Sequence, residues 1–183
     1  MLAESIFFNY HKQFKKSLSL IEHKKNIKEI LVNFTIPKPK KNTLLSSKKF
    51  KGGALMDMGP YAAAIARIFF NERISSYKNY IKKDIYNLIT SFKILINYKS
   101  KIYSGLFKFG GSYKNNLTII TNKRSISLNR VFSPPFDQNL SLSIEDAKKK
   151  KLLRLEKTIV LEIFLMKSKK ILKIKNLAFI LIV

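Results

Sequence analysis

The sequence predicts an α+β domain: an open, mostly antiparallel β-sheet with helices packed on one face. Three observations predict it. Apolar residues alternate over residues 27–36, 86–98 and 101–109, the period of a pleated strand. Further short strands follow at hairpin spacing to about residue 144, separated by turn residues. Both clear helical stretches lie early in the chain, so helices and strands are segregated. The alternation is one-sided, which implies one covered sheet face and one that is polar or paired.

Taken in order, residues 3–9 read as a short strand. A helix follows over about 12–25, where Phe14, Leu18 and Ile21 recur at spacings of four and three and lysines cover the other faces. In 27–36, Ile30, Val32, Phe34 and Ile36 point one way and Glu29, Asn33 and Thr35 the other. Pro37 and Pro39 end that strand, and a basic polar loop runs to Lys51. The stretch from Gly52 to Tyr61 leads into Ala62–Phe70, whose alanines and large apolar residues predict a buried helix. Pro60 fits a first helical turn, where its missing N–H does no harm. Paired Gly52 and Gly53 allow a close backbone approach or a positive φ.

Beyond residue 74 the pattern is β. Leu88, Phe92, Ile94, Ile96 and Tyr98 share a face, residues 97–100 make a turn, and Tyr103, Phe107 and Phe109 line the returning strand. Residues 117–121, 125–131 and 140–144 are further short strands. From Lys148 onward the chain is rich in Lys, Ile and Leu, and no cap or clean apolar stripe marks an element.

At 183 residues and 46% apolar composition, the chain can build one ordinary core. With no cysteine, disulfides and thiolate metal sites are excluded, and with two histidines, His11 and His23, a His-rich metal centre is not expected. The net charge of +25 points first to nucleic acid or an anionic surface. Only five of the 36 basic residues are arginine, the residue whose planar fork reads phosphate and guanine. Abundant Lys, Ile, Asn and Phe match what an A+T-rich coding sequence favours, so the charge is read as coding bias and nucleic acid is not expected as a partner. The start Met1-Leu-Ala-Glu-Ser lacks a basic signal region. No apolar run reaches the ~18 residues of a membrane span, so a soluble, cytoplasmic protein is expected.

The segment Gly52–Tyr61 carries the chemistry. Gly52, Gly53, Asp57, Gly59 and Tyr61 resemble the Gly-Gly-x-x-x-Asp-x-Gly-x-His motif of the Gfo/Idh/MocA oxidoreductases, in the subset with tyrosine at the last position, which includes glucose–fructose oxidoreductase and nucleotide-sugar ketoreductases. Glu4–Gln13 is similar to the strand that leaves the family's dinucleotide-binding domain, Ile27–Pro37 to the first strand of the catalytic sheet, and Phe109–Pro135 to its hairpin-rich part. The resemblance covers about residues 2–146. It implies a remnant of that last cofactor-domain strand over 1–11, the substrate and catalytic domain over 12–147, and a tail over 148–183 that departs from the family.

The resemblance also implies a reaction: oxidation or reduction at a CH–OH group of a sugar or nucleotide sugar with NAD or NADP. Such a step needs a group that takes or gives the hydroxyl proton. Tyr61 would be that acid/base, or would hydrogen-bond the reacting oxygen. A helix reaching back to Asp57 puts both on one face, and Asp57 would bind substrate hydroxyls. By resemblance His11 and Gly53 are further substrate-binding candidates. A free tyrosine titrates near ~10, and the family's lysine, from a Glu-Lys-Pro segment, would lower that value. Both that segment and the Gly-x-Gly-x-x-Gly turn lie upstream of the first matching strand, and no Gly-x-Gly-x-x-Gly occurs in this sequence. The expectation is a truncated oxidoreductase, from a gene with a shifted frame at its end, inactive alone and not binding the cofactor alone. The family's open sheet packs face to face with a second subunit, so a homo-oligomer is expected.

Read without the resemblance, Asp57 is a helix cap, Tyr61 a core tyrosine, Gly52 and Gly53 a tight turn, His11 a structural histidine, and Tyr113 a sheet or interface residue. The competing functional readings are a basic module that binds nucleic acid or a partner protein, and a decayed product whose exposed sheet edge invites aggregation.

Overall fold

The structure is a computed structural model and describes residues 6–166. These build one eight-stranded sheet in the order β2-β3-β4-β1-β5-β6-β7-β8. The strands are β1 (Ile27–Ile36), β2 (Ile74–Lys83), β3 (Ile89–Tyr98), β4 (Ile102–Phe109), β5 (Lys114–Thr121), β6 (Ser125–Asn129), β7 (Leu140–Glu145) and β8 (Lys150–Leu155). Only β1 and β4 run parallel; every other neighbouring pair is antiparallel. Helices α1 (Lys12–Ser19) and α2 (Ala54–Phe69) cover one face, α1 over β6 and β7 and α2 over β3 and β4. The α+β architecture and the one-sided covering are those the sequence predicted.

Register explains the core. Ile30, Val32 and Phe34 of β1 stand beside Tyr103, Gly105 and Phe107 of β4 and beside Ile119, Leu117 and Asn115 of β5. All the apolar members of this set are buried. Period-2 alternation puts their neighbours Leu31, Asn33, Ser104, Leu106 and Thr118 on the uncovered face. Tyr103 is fully buried, and its hydroxyl donates to the carbonyl of Ala62 on α2 at 3.2 Å. Burial pushes this phenol well above its ordinary pKa.

Several elements differ from expectation. Of the strand expected over 3–9, residues 3–5 lie outside the described residues, and Phe7–Tyr10 form a 3-10 turn. Helix α1 ends at Ser19, earlier than expected, and a second 3-10 turn, Lys24–Asn26, leads into β1. Helix α2 starts at Ala54, so Pro60 lies in its interior rather than in its first turn. The proline leaves the carbonyl of Met56 without its helical donor, on a residue that is 62% exposed. Strand β2 is exposed at every position, so it has no buried face to mark it in sequence. Strand β8 pairs with β7 and carries the sheet past residue 147, to Leu155. Residues 160–166 are helical, and Phe164 packs edge-on against Phe7 at 5.3 Å and Tyr10 at 5.7 Å. The remainder of the expected tail lies outside the described residues. Among the described residues no helix is long and apolar enough to cross a membrane.

Candidate active site

The N-terminal half of α2 is set in place by its two glycines. Gly53 caps the helix with φ 108°, and a Cβ there would meet the carbonyl oxygen of Ile89 at 2.8 Å. A Cβ on Gly52 would meet the carbonyls of Leu44 and Leu45 at 2.5 Å. The glycines thus let the turn press between β3 and the 3-10 turn Leu44–Ser46. Both uses expected of the pair, a close approach and a positive φ, are realised against the protein's own backbone.

Asp57 lies in the first turn of α2 and its backbone N–H donates to the carbonyl of Gly53 at 3.2 Å. The capping position belongs to Gly53, so a capping role for Asp57 is not what the structure gives. A carboxylate in a helix's first turn is favoured by the helix dipole. Tyr61 stands one turn later on the same stripe, and both residues are half-buried.

Three rings from three distant segments surround Tyr61. Phe34 of β1 meets it edge-on at 5.6 Å, Phe132 after β6 at 5.5 Å, and Phe8 of the first 3-10 turn at 6.2 Å. Phe132 also contacts Phe8 at 5.3 Å and Phe34 at 5.1 Å, so the three rings form a continuous wall. Asn115 holds Phe132 in place: its side-chain oxygen accepts from the Phe132 N–H at 2.9 Å. This buried asparagine, Phe8 and Phe132 were not singled out from the sequence, and Phe34 was read only as a member of the inward face of its strand. Phe132 and Asn115 are 17 residues apart and only the β5–β6 pairing brings them together.

His11 takes a structural position. Its Nδ1 accepts from the Gln13 N–H at 3.1 Å and so caps α1, while its Nε2 is buried without a partner. The imidazole is 1% exposed and does not line the surface at Asp57 and Tyr61. Burial, with a smaller contribution from Lys12, lowers its pKa. Gln13 anchors the helix by donating to the carbonyls of Asn129 and Ser141 at 3.1 and 2.8 Å. A cleft of about 250 Å³ includes Gly53, Lys38, Ser46, Asp84 and Thr90, but neither Asp57 nor Tyr61.

The glycine pair before α2 is the nearest approach to a phosphate-cradling turn, but carbonyl oxygens of the protein fill the space beside both glycines. That turn therefore offers no phosphate cradle. Among the described residues no group of three His, Asp or Glu residues is placed to hold a metal ion.

An open, mostly antiparallel sheet with both helices on one face is a fold this chain shares with part of several longer solved proteins. Solved structures give the likeness in particular. KijD10, a 3-ketoreductase from Actinomadura kijaniata, was solved as a tyrosine-to-phenylalanine variant with TDP-benzene and NADP. It matches with a TM-score of 0.82 at 17% identity, over 93% of this chain and 54% of that one. The same enzyme with NADP and TDP-benzene matches with a TM-score of 0.80 at 19% identity. UDP-N-acetylglucosamine 3-dehydrogenase GnnA from Acidithiobacillus ferrooxidans matches with a TM-score of 0.75 at 9% identity, over 94% of this chain and 52% of that one. The chain therefore spans about half the length of the solved proteins it resembles. No family model and no curated protein matches the sequence.

Proposed function

We propose that this chain is the substrate domain of an oxidoreductase that acts on a CH–OH group of a sugar or nucleotide sugar with NAD or NADP. One observation carries the reading: the Asp57–Tyr61 stripe, with its aromatic wall, sits on α2 of a fold shared with enzymes of nucleotide sugars.

In this reading Asp57 accepts hydrogen bonds from sugar hydroxyls, and a carboxylate that receives two donors fixes the ring's orientation. Tyr61 gives or takes the proton of the reacting hydroxyl. Its ring is locked by Phe8, Phe34 and Phe132, so little rotamer freedom is lost when substrate arrives. His11 and Gly53 act behind the surface: Gly53 sets the start of α2, and His11 fixes α1 beneath Phe8. In this reading the nicotinamide is presented by residues other than those described, and the chain alone has no dehydrogenase activity; the filled space beside Gly52 and Gly53 supports it. The substrate domain of this reading runs over 12–147 and continues through β8. The uncovered sheet face mixes Leu31, Ile102 and Leu106 with Ser104, Thr118 and Ser127, a surface suited to a second copy of the chain.

Calorimetric titration tests the reading. The purified chain should bind dTDP-glucose or UDP-N-acetylglucosamine, lose that binding in Asp57→Ala, and show none for NADP(H). Micromolar NADP(H) binding, or sugar-nucleotide binding indifferent to Asp57, would contradict it.

A further inference from the structure

Next to the wall around Tyr61 lies a second cluster that neither the sequence motif nor the helix accounts for. Asn115, 2% exposed, uses both hydrogens of its amide: one goes to the hydroxyl of Tyr113 at 3.1 Å and one to Oγ of Ser133 at 2.8 Å. Its oxygen accepts from the Phe132 N–H, so its side-chain hydrogen-bonding groups are all engaged. The two hydroxyls lie 3.2 Å apart. Each accepts from Asn115 and one of them donates to the other, which leaves a single hydroxyl hydrogen free to donate outward.

Arg130 completes the cluster. Its guanidinium lies over the Tyr113 ring, 5.4 Å from the centroid. Its backbone is left-handed, with φ 53°, a conformation that non-glycine residues seldom adopt. Burial does not explain that conformation, because Arg130 is exposed. No carboxylate of the described residues pairs with it. Tyr113 itself is 41% exposed. The result is a cation held over a ring and a hydroxyl donor side by side at the surface, with no acceptor among the described residues to satisfy them. That is a complement to an oxyanion, and the arginine fork suits phosphate oxygens best. Arg130 and Ser133 flank Val131 and Phe132, and the Phe132 ring touches Tyr61, so an anion here would adjoin a sugar lying against Tyr61.

We infer that Tyr113, Arg130 and Ser133 form the phosphate subsite for a nucleoside diphosphate whose sugar lies at Asp57 and Tyr61. The inference rests on the sugar-oxidoreductase reading above and narrows its substrate class to sugars carried on a diphosphate. Tyr113, a sheet or interface residue by sequence alone, thereby gains a ligand role.

The test titrates the full chain with dTDP at about 0.15 M salt, where the long-range pull of the positive surface is screened. Wild type binds. Arg130→Asn, chosen because asparagine tolerates the left-handed backbone, binds roughly tenfold more weakly or worse. Tyr113→Phe keeps the ring and its stacking but loses the hydroxyl, and weakens dTDP by a smaller factor. Unchanged dTDP affinity in both variants, or no dTDP binding by wild type, overturns the subsite. Parallel titrations with dTDP-glucose separate the two claims. If dTDP-glucose binding falls in Asp57→Asn but not in Arg130→Asn, the sugar site stands and the phosphate subsite fails. If it falls in Arg130→Asn but never exceeds dTDP binding nor responds to Asp57→Asn, the phosphate subsite stands and the sugar site fails.

Discussion

Aromatic side chains gather in two regions of this molecule and meet opposite fates. Around Tyr61, Phe8, Phe34 and Phe132 are at most 6% exposed, and each ring is held from outside its own segment. On the β2–β3 hairpin, Tyr77, Tyr80 and Tyr86 are 70%, 62% and 62% exposed, and Ile85 is 90% exposed. The hairpin rings rest on one strand pairing and a turn in which Asp84 accepts from the N–H groups of Tyr86 and Leu88. The difference teaches where preorganisation resides. A ring locked by several distant elements can hold a reacting group to a fixed geometry, whereas a ring on an edge strand cannot. Aromatic content alone therefore does not mark a site; the number of elements that converge on the ring does.

Four measurements can break or sharpen that contrast. Phe132→Ala should cost about 3–5 kcal/mol in chemical denaturation, because it opens a cavity where three rings meet. A loss below about 1 kcal/mol would mean that the wall is loosely packed. Next comes the root of the hairpin, where Lys101, 5% exposed, forms an ion pair with Glu72. Glu72→Ala strands that ammonium and should cost on the order of 2 kcal/mol, less than a fully buried pair because Glu72 is 31% exposed.

The third effect depends on pH. The His11 cap requires a neutral imidazole, since Nδ1 accepts a hydrogen bond. Its folded pKa is lowered, so the unfolded chain binds the proton more tightly. The contribution, about 1 kcal/mol for a cap, is whole above pH about 6.5, the ordinary histidine value. It falls as pH drops from there to the lowered folded value. Unfolding titrations should show that slope, and His11→Asn, which keeps a capping oxygen, should flatten it. The smallest effect is on the hairpin: Tyr77→Ser and Tyr80→Ser should change stability by about 0.5 kcal/mol or less. A larger loss would show that the exposed rings are structurally engaged.

What could be read from the sequence follows the same division. Strand β1 was legible to the residue because Ile30, Val32 and Phe34 alternate against a covered face and Pro37 follows. The helix carrying Asp57 and Tyr61 was legible from its motif, but its start was not, because Pro60 sits in the interior of α2 rather than in its first turn. Strand β2 was legible only as part of a β stretch beyond residue 74, without bounds of its own, and β8 was not legible: β2 buries no residue and β8 only half-buries Leu153 and Leu155, so neither shows the alternation that burial imposes. Phe132 and Asn115 escaped notice for a different reason. Their roles arise from pairing across 17 residues, and no local pattern encodes it.

The central claim is that the Tyr61 wall, not the exposed hairpin, receives the sugar nucleotide. Nuclear magnetic resonance of the chain with isotope-labelled tyrosine tests it most directly, since eight tyrosines report on both regions at once. On addition of dTDP-glucose, the ring signals of Tyr61 and Tyr113 should shift with saturation, while those of Tyr77, Tyr80 and Tyr86 stay in place. Saturable shifts confined to the hairpin tyrosines, with Tyr61 unmoved, would contradict the account.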